Sequence, residues 1–235
     1  MADRLRPLWD FDDLESSERR FRDQLDREPT ASGRAEVLTQ LARVEGLRGD
    51  FDTSARLLDE AEPLAGADPI ANIRLELERG RMFRSNGDAE AAYPLFESAF
   101  RRAIEADDRY LAGDAAHMCA IAIDDRALQN EWVEHGIADG DPYWAGPLLN
   151  NLGWSYFEDG DYERALELFH GSLEARKRDP ENAAGVAWAQ YAIGQTLRML
   201  GRAPEAVPLL EQAAKTLPDD EEMQAELAAV RTAAA

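Results

Sequence analysis

Five small residues recur along this chain at intervals of 34 to 41 residues, and each is followed seven positions later by a residue suited to a turn. Four of the five turn residues are glycine. A period of this length indicates helical hairpins that stack side by side into a solenoid. The pairs of small residue and turn residue are Ala42 and Gly49, Gly80 and Gly87, Cys119 and Arg126, Gly153 and Gly160, and Gly194 and Gly201.

The fourth copy shows why these residues predict a helix-turn-helix unit. Leu149, Leu152 and Tyr156 are spaced three and four residues apart and therefore share one face of a helix. Gly153 has no side chain, so a second helix can approach the first one closely. Gly160 then ends the first helix, and the aspartate after it caps the second. The second helix faces back with Ala165, Phe169 and Ser172.

The same slots are filled in the last copy, and two earlier copies fill most of them. This order of small and large residues resembles that of the tetratricopeptide repeat family over roughly residues 30–218. The resemblance implies an all-α fold, a right-handed superhelical solenoid of about five helix-turn-helix repeats. The first helices are long, as in long-repeat members such as those in kinesin light chains. The last copy reads Gln190, Ile193, Gly194, Leu197, Gly201, Ala203, Ala206, Leu210 and Ala213.

The third copy, around Cys119, is degenerate in its second helix. Read in frame, that helix would place Glu131 and His135 inside the array. A turn two residues longer places Val133 and Ile137 there instead. We expect the longer turn, because burying an unpaired carboxylate is costly.

Both ends of the array are predicted to carry a capping helix that keeps the outer surface polar. Residues 1–29 form the N-terminal cap, 30–218 one continuous solenoid, and 219–235 the C-terminal cap. Apolar residues at helical spacing mark the two caps. They are Phe11, Leu14, Phe21 and Leu25 in the first cap and Met223, Leu227 and Val230 in the second.

Prolines predict where three of the first helices begin. An aspartate precedes each of these prolines, and aspartate is a favoured N-cap while proline suits the first helical position. The dipeptides are Asp68-Pro69, Asp141-Pro142 and Asp179-Pro180. The helices that follow are expected to end near Asn86, Asp159 and Gly201.

Composition excludes several classes of partner. The chain has 26 basic and 47 acidic residues, and its formal charge of −21 would repel the phosphates of nucleic acid. No stretch approaches the roughly 18 apolar residues of a membrane span, and the first residues lack the apolar centre of a secretion signal. Cys119, the single cysteine, cannot form an internal disulfide. We expect a cytoplasmic protein without nucleic-acid or membrane partners; a homo-oligomer is one alternative.

The sequence offers little for catalysis or cofactor binding. His117, His135 and His170 lie in three different predicted helices and form no metal-binding pair. Cys119 fills a small-residue slot, which predicts packing rather than reactivity. Paired aspartates fall near helix boundaries, where they are typical of caps. We expect no cofactor, no metal and no enzymatic activity.

The resemblance implies that the first helix of each repeat lines a concave groove. The groove slots hold five arginines against three carboxylates, a local balance of +2 in a chain of −21. We expect these side chains to be exposed and to contact a ligand, with arginine and aromatic anchors and amides that hold an extended backbone. The candidate peptide-binding residues are Arg43, Arg74, Arg81, Arg84, Asn150, Asn151, Trp154, Trp188, Tyr191, Gln195 and Arg198.

The alternative for these residues is structural: the aromatics pack between long helices, and the arginines pair with local acids such as Glu78 or Asp88. Two functions remain open. The first is an adaptor or scaffold that holds an acidic or amphipathic peptide or helix of a partner protein in the groove. The second is a sensory or regulatory domain that binds a small ligand there. A chaperone-tail clamp is disfavoured, because only Asn151 matches the residues that such a clamp uses.

Overall fold

The computed structural model describes residues 3–234, which form twelve α-helices and no β-strand. Ten of the helices form five hairpins, and the chain has one further helix at each end. The hairpins are α2 (Ala31–Arg48) with α3 (Phe51–Ala65), α4 (Pro69–Ser85) with α5 (Ala89–Glu105), α6 (Arg109–Ile121) with α7 (Arg126–Asp139), α8 (Ala145–Glu158) with α9 (Tyr162–Arg176), and α10 (Ala183–Met199) with α11 (Ala203–Thr216). The terminal helices are α1 (Leu14–Arg27) and α12 (Glu221–Ala234). The prediction of an all-α array of five helix-turn-helix repeats is confirmed.

The contacts divide the chain into two compact units, Met1–Asp141 and Pro142–Ala235. The first unit holds α1 and three hairpins, and α2 packs against α1, α3 and α4. The second holds two hairpins and α12, and α10 packs against α9, α11 and α12. The sequence-based boundaries at residues 29 and 218 stay a prediction.

Aspartate side chains begin most of the helices. The Asp50 carboxylate, for example, accepts a hydrogen bond from the backbone N–H of Thr53 at 3.0 Å, which satisfies one of the free donors of α3. The preceding helix ends at Gly49, whose φ of 81° is easily adopted only by glycine. Gly160, also at 81°, ends α8 in the same way before Asp161 caps α9. The predicted turn chemistry is confirmed at these hairpins.

The small-residue slots are points of close contact between the two helices of a hairpin. A Cβ added to Gly80 would stand 2.4 Å from the Phe96 ring, and one added to Gly194 would stand 2.6 Å from Leu210. Ala42 and Cys119 fill the same slot and are fully buried. The slot therefore sets the distance between the two helices of each hairpin.

Only one of the three proline predictions is confirmed without change. Asp68 accepts from Ala71 N–H at 3.0 Å, and α4 begins at Pro69. Pro142 instead opens a short 3-10 helix, Pro142–Trp144, and α8 follows it. The prediction at Asp179 is wrong, because Asn182 caps α10 and the residues before it form a turn.

The longer turn before α7 is confirmed in part: four residues separate α6 from α7, against two or three in the other hairpins, and Val133 is buried while Glu131 and His135 are exposed. The expectation for Ile137 is wrong, because its side chain is 45% exposed. The buried face of α7 runs one position earlier along the helix. It consists of Gln129, Trp132, Val133 and Gly136.

The two terminal helices pack as predicted, with one correction. Phe21 of α1 is fully buried, but Phe11 lies before the helix, is 45% exposed and stacks on Trp9 at 4.7 Å between ring centroids. Helix α1 begins at Leu14 because Asp13 caps it. On α12, the apolar face of Met223, Leu227 and Val230 is buried.

Candidate functional site

Arg74 is not available to a ligand, which corrects the sequence-based expectation. Its side chain is only 6% exposed and pairs with two carboxylates. Nε donates to Oε2 of Glu36 at 3.1 Å, and Nη2 pairs with Asp3. Removing either acid would leave a buried charge without its partner, so this cluster stabilises the fold rather than offering a binding surface.

Residues 3–11, here termed the N-terminal segment, lie against the first helices of the first two repeats. Arg4 pairs with Glu36 at 2.9 Å, next to the contact between Asp3 and Arg74. The indole Nε1 of Trp9 donates to Oε1 of Gln40 at 2.9 Å inside the core. The segment therefore occupies predicted groove slots of α2 and α4.

Arg43 and Arg81 are held by neighbouring acids and aromatic rings. Arg81 donates to Oε1 of Glu78 at 2.6 Å and also pairs with Asp114. Burial alone would raise the pKa of Asp114, but Arg81 and Arg43 outweigh it and hold that pKa below its ordinary value. The Arg43 guanidinium lies 5.3 Å from the Trp9 ring. Both arginines therefore follow the structural alternative, in which they pair with acids of the same chain.

A cavity of about 250 Å³ lies between α2, α4 and α6. We call it the first-unit cleft. Among its lining residues only Arg84 is an exposed arginine, and its Nε donates to the backbone oxygen of Ile121 at 3.2 Å. Burial is the main reason that the pKa of His117 falls to about 4, and nearby arginines lower it further. The first-unit cleft thus has one exposed cation, and neighbouring acids largely balance the charges of its other two arginines.

A second cavity, of about 370 Å³, lies in the second unit, and we call it the second-unit cleft. Trp188 is 37% exposed, and its ring meets Tyr191 edge-on at 5.6 Å. Trp154 meets the buried Phe169 at 5.0 Å, which fixes the indole in place. The lining residues are Asn150, Trp154, Arg176, Trp188, Tyr191 and Glu222.

The structure thus brings four of the predicted groove residues into the second-unit cleft and leaves three others in the second unit outside it. Arg198 is paired with Glu226 of α12, with Nη2 and Oε2 3.0 Å apart. Gln195 and Asn151 are partly buried and do not line the cavity. Arg176 and Glu222 were missed because the prediction considered only first helices, whereas these two residues belong to α9 and α12.

The described part of the chain shows no group of three histidine, cysteine, aspartate or glutamate side chains placed to hold a metal ion. Cys119 is fully buried, and burial raises the pKa of its thiol. Within residues 3–234, no helix is long and apolar enough to cross a membrane.

Two stretches of the chain match models of a known protein family. Residues 145–219 match one tetratricopeptide repeat family model, and residues 35–60 match another. A comparison with curated protein sequences gave no match. Both matched stretches are thus tetratricopeptide repeats, and the structure continues their helix-turn-helix pattern through all five hairpins.

Solved structures share the fold at low sequence identity. BtubC (BKLC) from P. vanneervenii is 17% identical with a TM-score of 0.67, and the match covers 92% of each chain. A signal transduction ATPase with a tetratricopeptide repeat sensor, from Pyrococcus horikoshii, has the same identity and TM-score. That match covers 94% of this chain and only 33% of the larger protein. A putative kinesin light chain repeat protein from Podosopora anserina is 17% identical with a TM-score of 0.59, covering 81% of this chain and 97% of that one.

Proposed function

We propose that this protein is a protein-interaction module and that its second-unit cleft holds a peptide or helix of a partner. The observation that carries the proposal is the convergence of Trp154, Trp188 and Tyr191 on one cavity. Tryptophan and tyrosine are the side chains most enriched among residues that dominate interface affinity. A tetratricopeptide repeat fold with such an anchor site fits peptide capture better than catalysis.

The cleft supplies both apolar walls and a polar contact. Trp154 stands against Phe169 and is therefore rigid, so it loses little conformational freedom on binding. Asn150 lies on the same helix, and its amide can donate to and accept from an extended backbone. These features favour an amphipathic segment that inserts an apolar side chain and keeps its backbone near Asn150.

The first unit contributes less to this function than the arginine count suggests. Acids of the same chain pair with Arg43, Arg74 and Arg81. The positive charge of these arginines is therefore largely balanced within the fold. Attraction of an acidic partner therefore falls to exposed positions such as Arg84. We place the main contact in the second unit.

The test is a selection of binding peptides from a random dodecapeptide library, followed by affinity measurement on the full chain. Trp188→Ala, alone and with Trp154→Ala, should weaken binding by about 2 kcal/mol or more. Met199→Ala is the matched control, because Met199 is exposed on the same helix and lies outside the cleft. Circular dichroism checks that each variant folds. Equal affinity of wild type and the double variant would contradict the proposal.

A sensory domain that binds a small ligand is the second candidate. Its support is the size of the cavity, which lies near the lower end of ligand pockets, and the likeness to a protein whose repeat region is described as a sensor. Peptides and metabolites screened against thermal stability separate the two functions, since a true ligand raises the melting temperature.

A further inference from the structure

Arg176 lies at the C-terminal end of α9 and lines the second-unit cleft. Its Nη1 donates to the backbone oxygen of Gly185 at 2.8 Å. Its buried Nε has no hydrogen-bond partner. The guanidinium is therefore anchored at one corner while part of its donor capacity is unused.

No carboxylate of residues 3–234 forms an ion pair with Arg176, in contrast to Arg74, Arg81 and Arg198. Burial lowers the pKa of Arg176, and only the phenol of Tyr143 acts in the other direction. A partly buried cation without a counter-ion is costly, and an incoming anion would relieve that cost. The charge is thus uncompensated within its own unit.

The side chain is also held in position before any ligand arrives. A Cβ at Gly146 would stand 2.8 Å from Cγ of Arg176 and 3.3 Å from its Nε, so the stem crosses α8 where a side chain is absent. The backbone oxygen of Gly146 accepts from Ser172 at 2.9 Å, which ties α8 to α9 at this point. A pre-positioned guanidinium loses little side-chain entropy on binding.

The cleft contains an acidic side chain as well as Arg176. Glu222 of α12 lines it as well, and the pKa of Tyr191 is raised by burial and then by Glu222 and Glu226. An anionic group is therefore disfavoured beside Tyr191 and favoured beside Arg176. The indoles of Trp154 and Trp188 supply the apolar walls of the same cavity.

We propose that Arg176 is a carboxylate-binding position, so that the second-unit cleft selects a peptide in which a carboxylate adjoins an apolar side chain. This inference rests on the proposed function and specifies its ligand chemistry. The carboxylate is either the C-terminus of the peptide or an acidic side chain. Both sources offer the planar pair of oxygens that a guanidinium binds well.

The probes are N-acetyl-phenylalanine and its amide, titrated into the full chain at neutral pH. Binding is followed by the indole N–H signals of Trp154 and Trp188, with Trp9, Trp132 and Trp144 as internal references. The acid should bind about tenfold or more tightly than the amide, as expected for a charge-assisted hydrogen bond. N-acetyl-phenylalanyl-glutamate amide, compared with its glutamine counterpart, tests the side-chain source in the same way.

Arg176→Gln should remove the preference, so that the acid and the amide bind with about equal affinity, and Arg176→Lys should retain part of the preference. Arg164→Gln is the control, because Arg164 lies on α9, is exposed and is paired with Glu167. Melting curves confirm folding of each variant. A preference that survives in Arg176→Gln, or is absent from wild type for both pairs of probes, overturns the inference while leaving the aromatic cleft as a binding site. Failure of every probe to shift either indole signal contradicts the inference and the proposed function together.

Discussion

Gly153 of α8 lies directly against the ring of Phe169 of α9, so that a Cβ at position 153 would stand 2.6 Å from ring atom Cε1. Gly153→Leu should therefore force the two helices apart. Overpacking of this kind costs about 1–3 kcal/mol or more. Denaturant unfolding followed by circular dichroism measures the loss.

Gly46→Ala is the matched control for Gly153→Leu. Gly46 also lies inside a first helix, but its added Cβ would meet only Ser54 Oγ, at an ordinary 3.7 Å. We expect this variant to be as stable as wild type or slightly more stable, since alanine favours the helix by about 0.5–1 kcal/mol. Similar unfolding curves for the two variants would contradict the packing role of Gly153.

Cys119 should react slowly with thiol reagents in the native protein. Its side chain is fully buried, and burial raises the pKa of the thiol, so the reactive thiolate is scarce. In denaturant the same reagent should label it quickly. A native rate close to the denatured rate would show that Cys119 is accessible.

Arg81→Ala should destabilise the fold, contrary to the sequence-based expectation of an exposed arginine. The side chain is 12% exposed, and its loss leaves Glu78 and Asp114 buried without their main partner. Breaking a buried pair in this way costs about 3 kcal/mol. Arg164→Ala removes an exposed pair and should change stability by about 1 kcal/mol or less. Equal unfolding midpoints for the two variants would contradict the assignment.

Stability should fall as the pH is lowered from about 6.5 towards 4, in part because of His117. Its folded-state pKa of about 4 lies below the ordinary 6.5, so within this window the unfolded chain binds a proton that the folded chain does not. His117 thereby contributes at most about 3 kcal/mol to the free energy of unfolding. This contribution is complete above the unfolded pKa and is lost as the pH falls towards the folded pKa. The charged groups that act on it are Asp114, Arg81, Arg43 and Arg84.

Melting temperatures across this pH range test the role of His117. His117→Gln should flatten the decline, whereas His135→Gln, which changes an exposed histidine of α7, should leave it nearly as in wild type. An unchanged decline in His117→Gln would assign the pH dependence to other groups.

The repeat frame was predictable because close helix packing needs a small residue at each crossing. Gly80 and Gly194 face Phe96 and Leu210 as tightly as the pattern implied. Helix ends were less predictable: Asp179-Pro180 has the chemistry of a start, yet Asn182 supplies the cap that the backbone uses. The local sequence thus offered two competing starts, and the structure uses the one capped by Asn182.

The aromatic residues of the candidate site could be predicted from the sequence, but the ion-pair partners of its arginines could not. Trp154, Trp188 and Tyr191 follow from helical slots on first helices. The partners of Arg74 do not follow from helical slots, since Asp3 lies 71 positions away along the chain. The apolar residues Leu5 and Trp9, which stand next to charged ones, were the available signal for that contact, and both are buried.

The six residues that line the second-unit cleft belong to Pro142–Ala235, and the contacts of the N-terminal segment belong to Met1–Asp141. The proposed binding cleft and the contacts of the N-terminal segment therefore use different sets of side chains. A substitution that weakens the contacts of the N-terminal segment is expected to leave the lining of the second-unit cleft unaltered. If the proposed function holds, ligand preference and the hold on the N-terminal segment are free to diverge as separate traits during evolution.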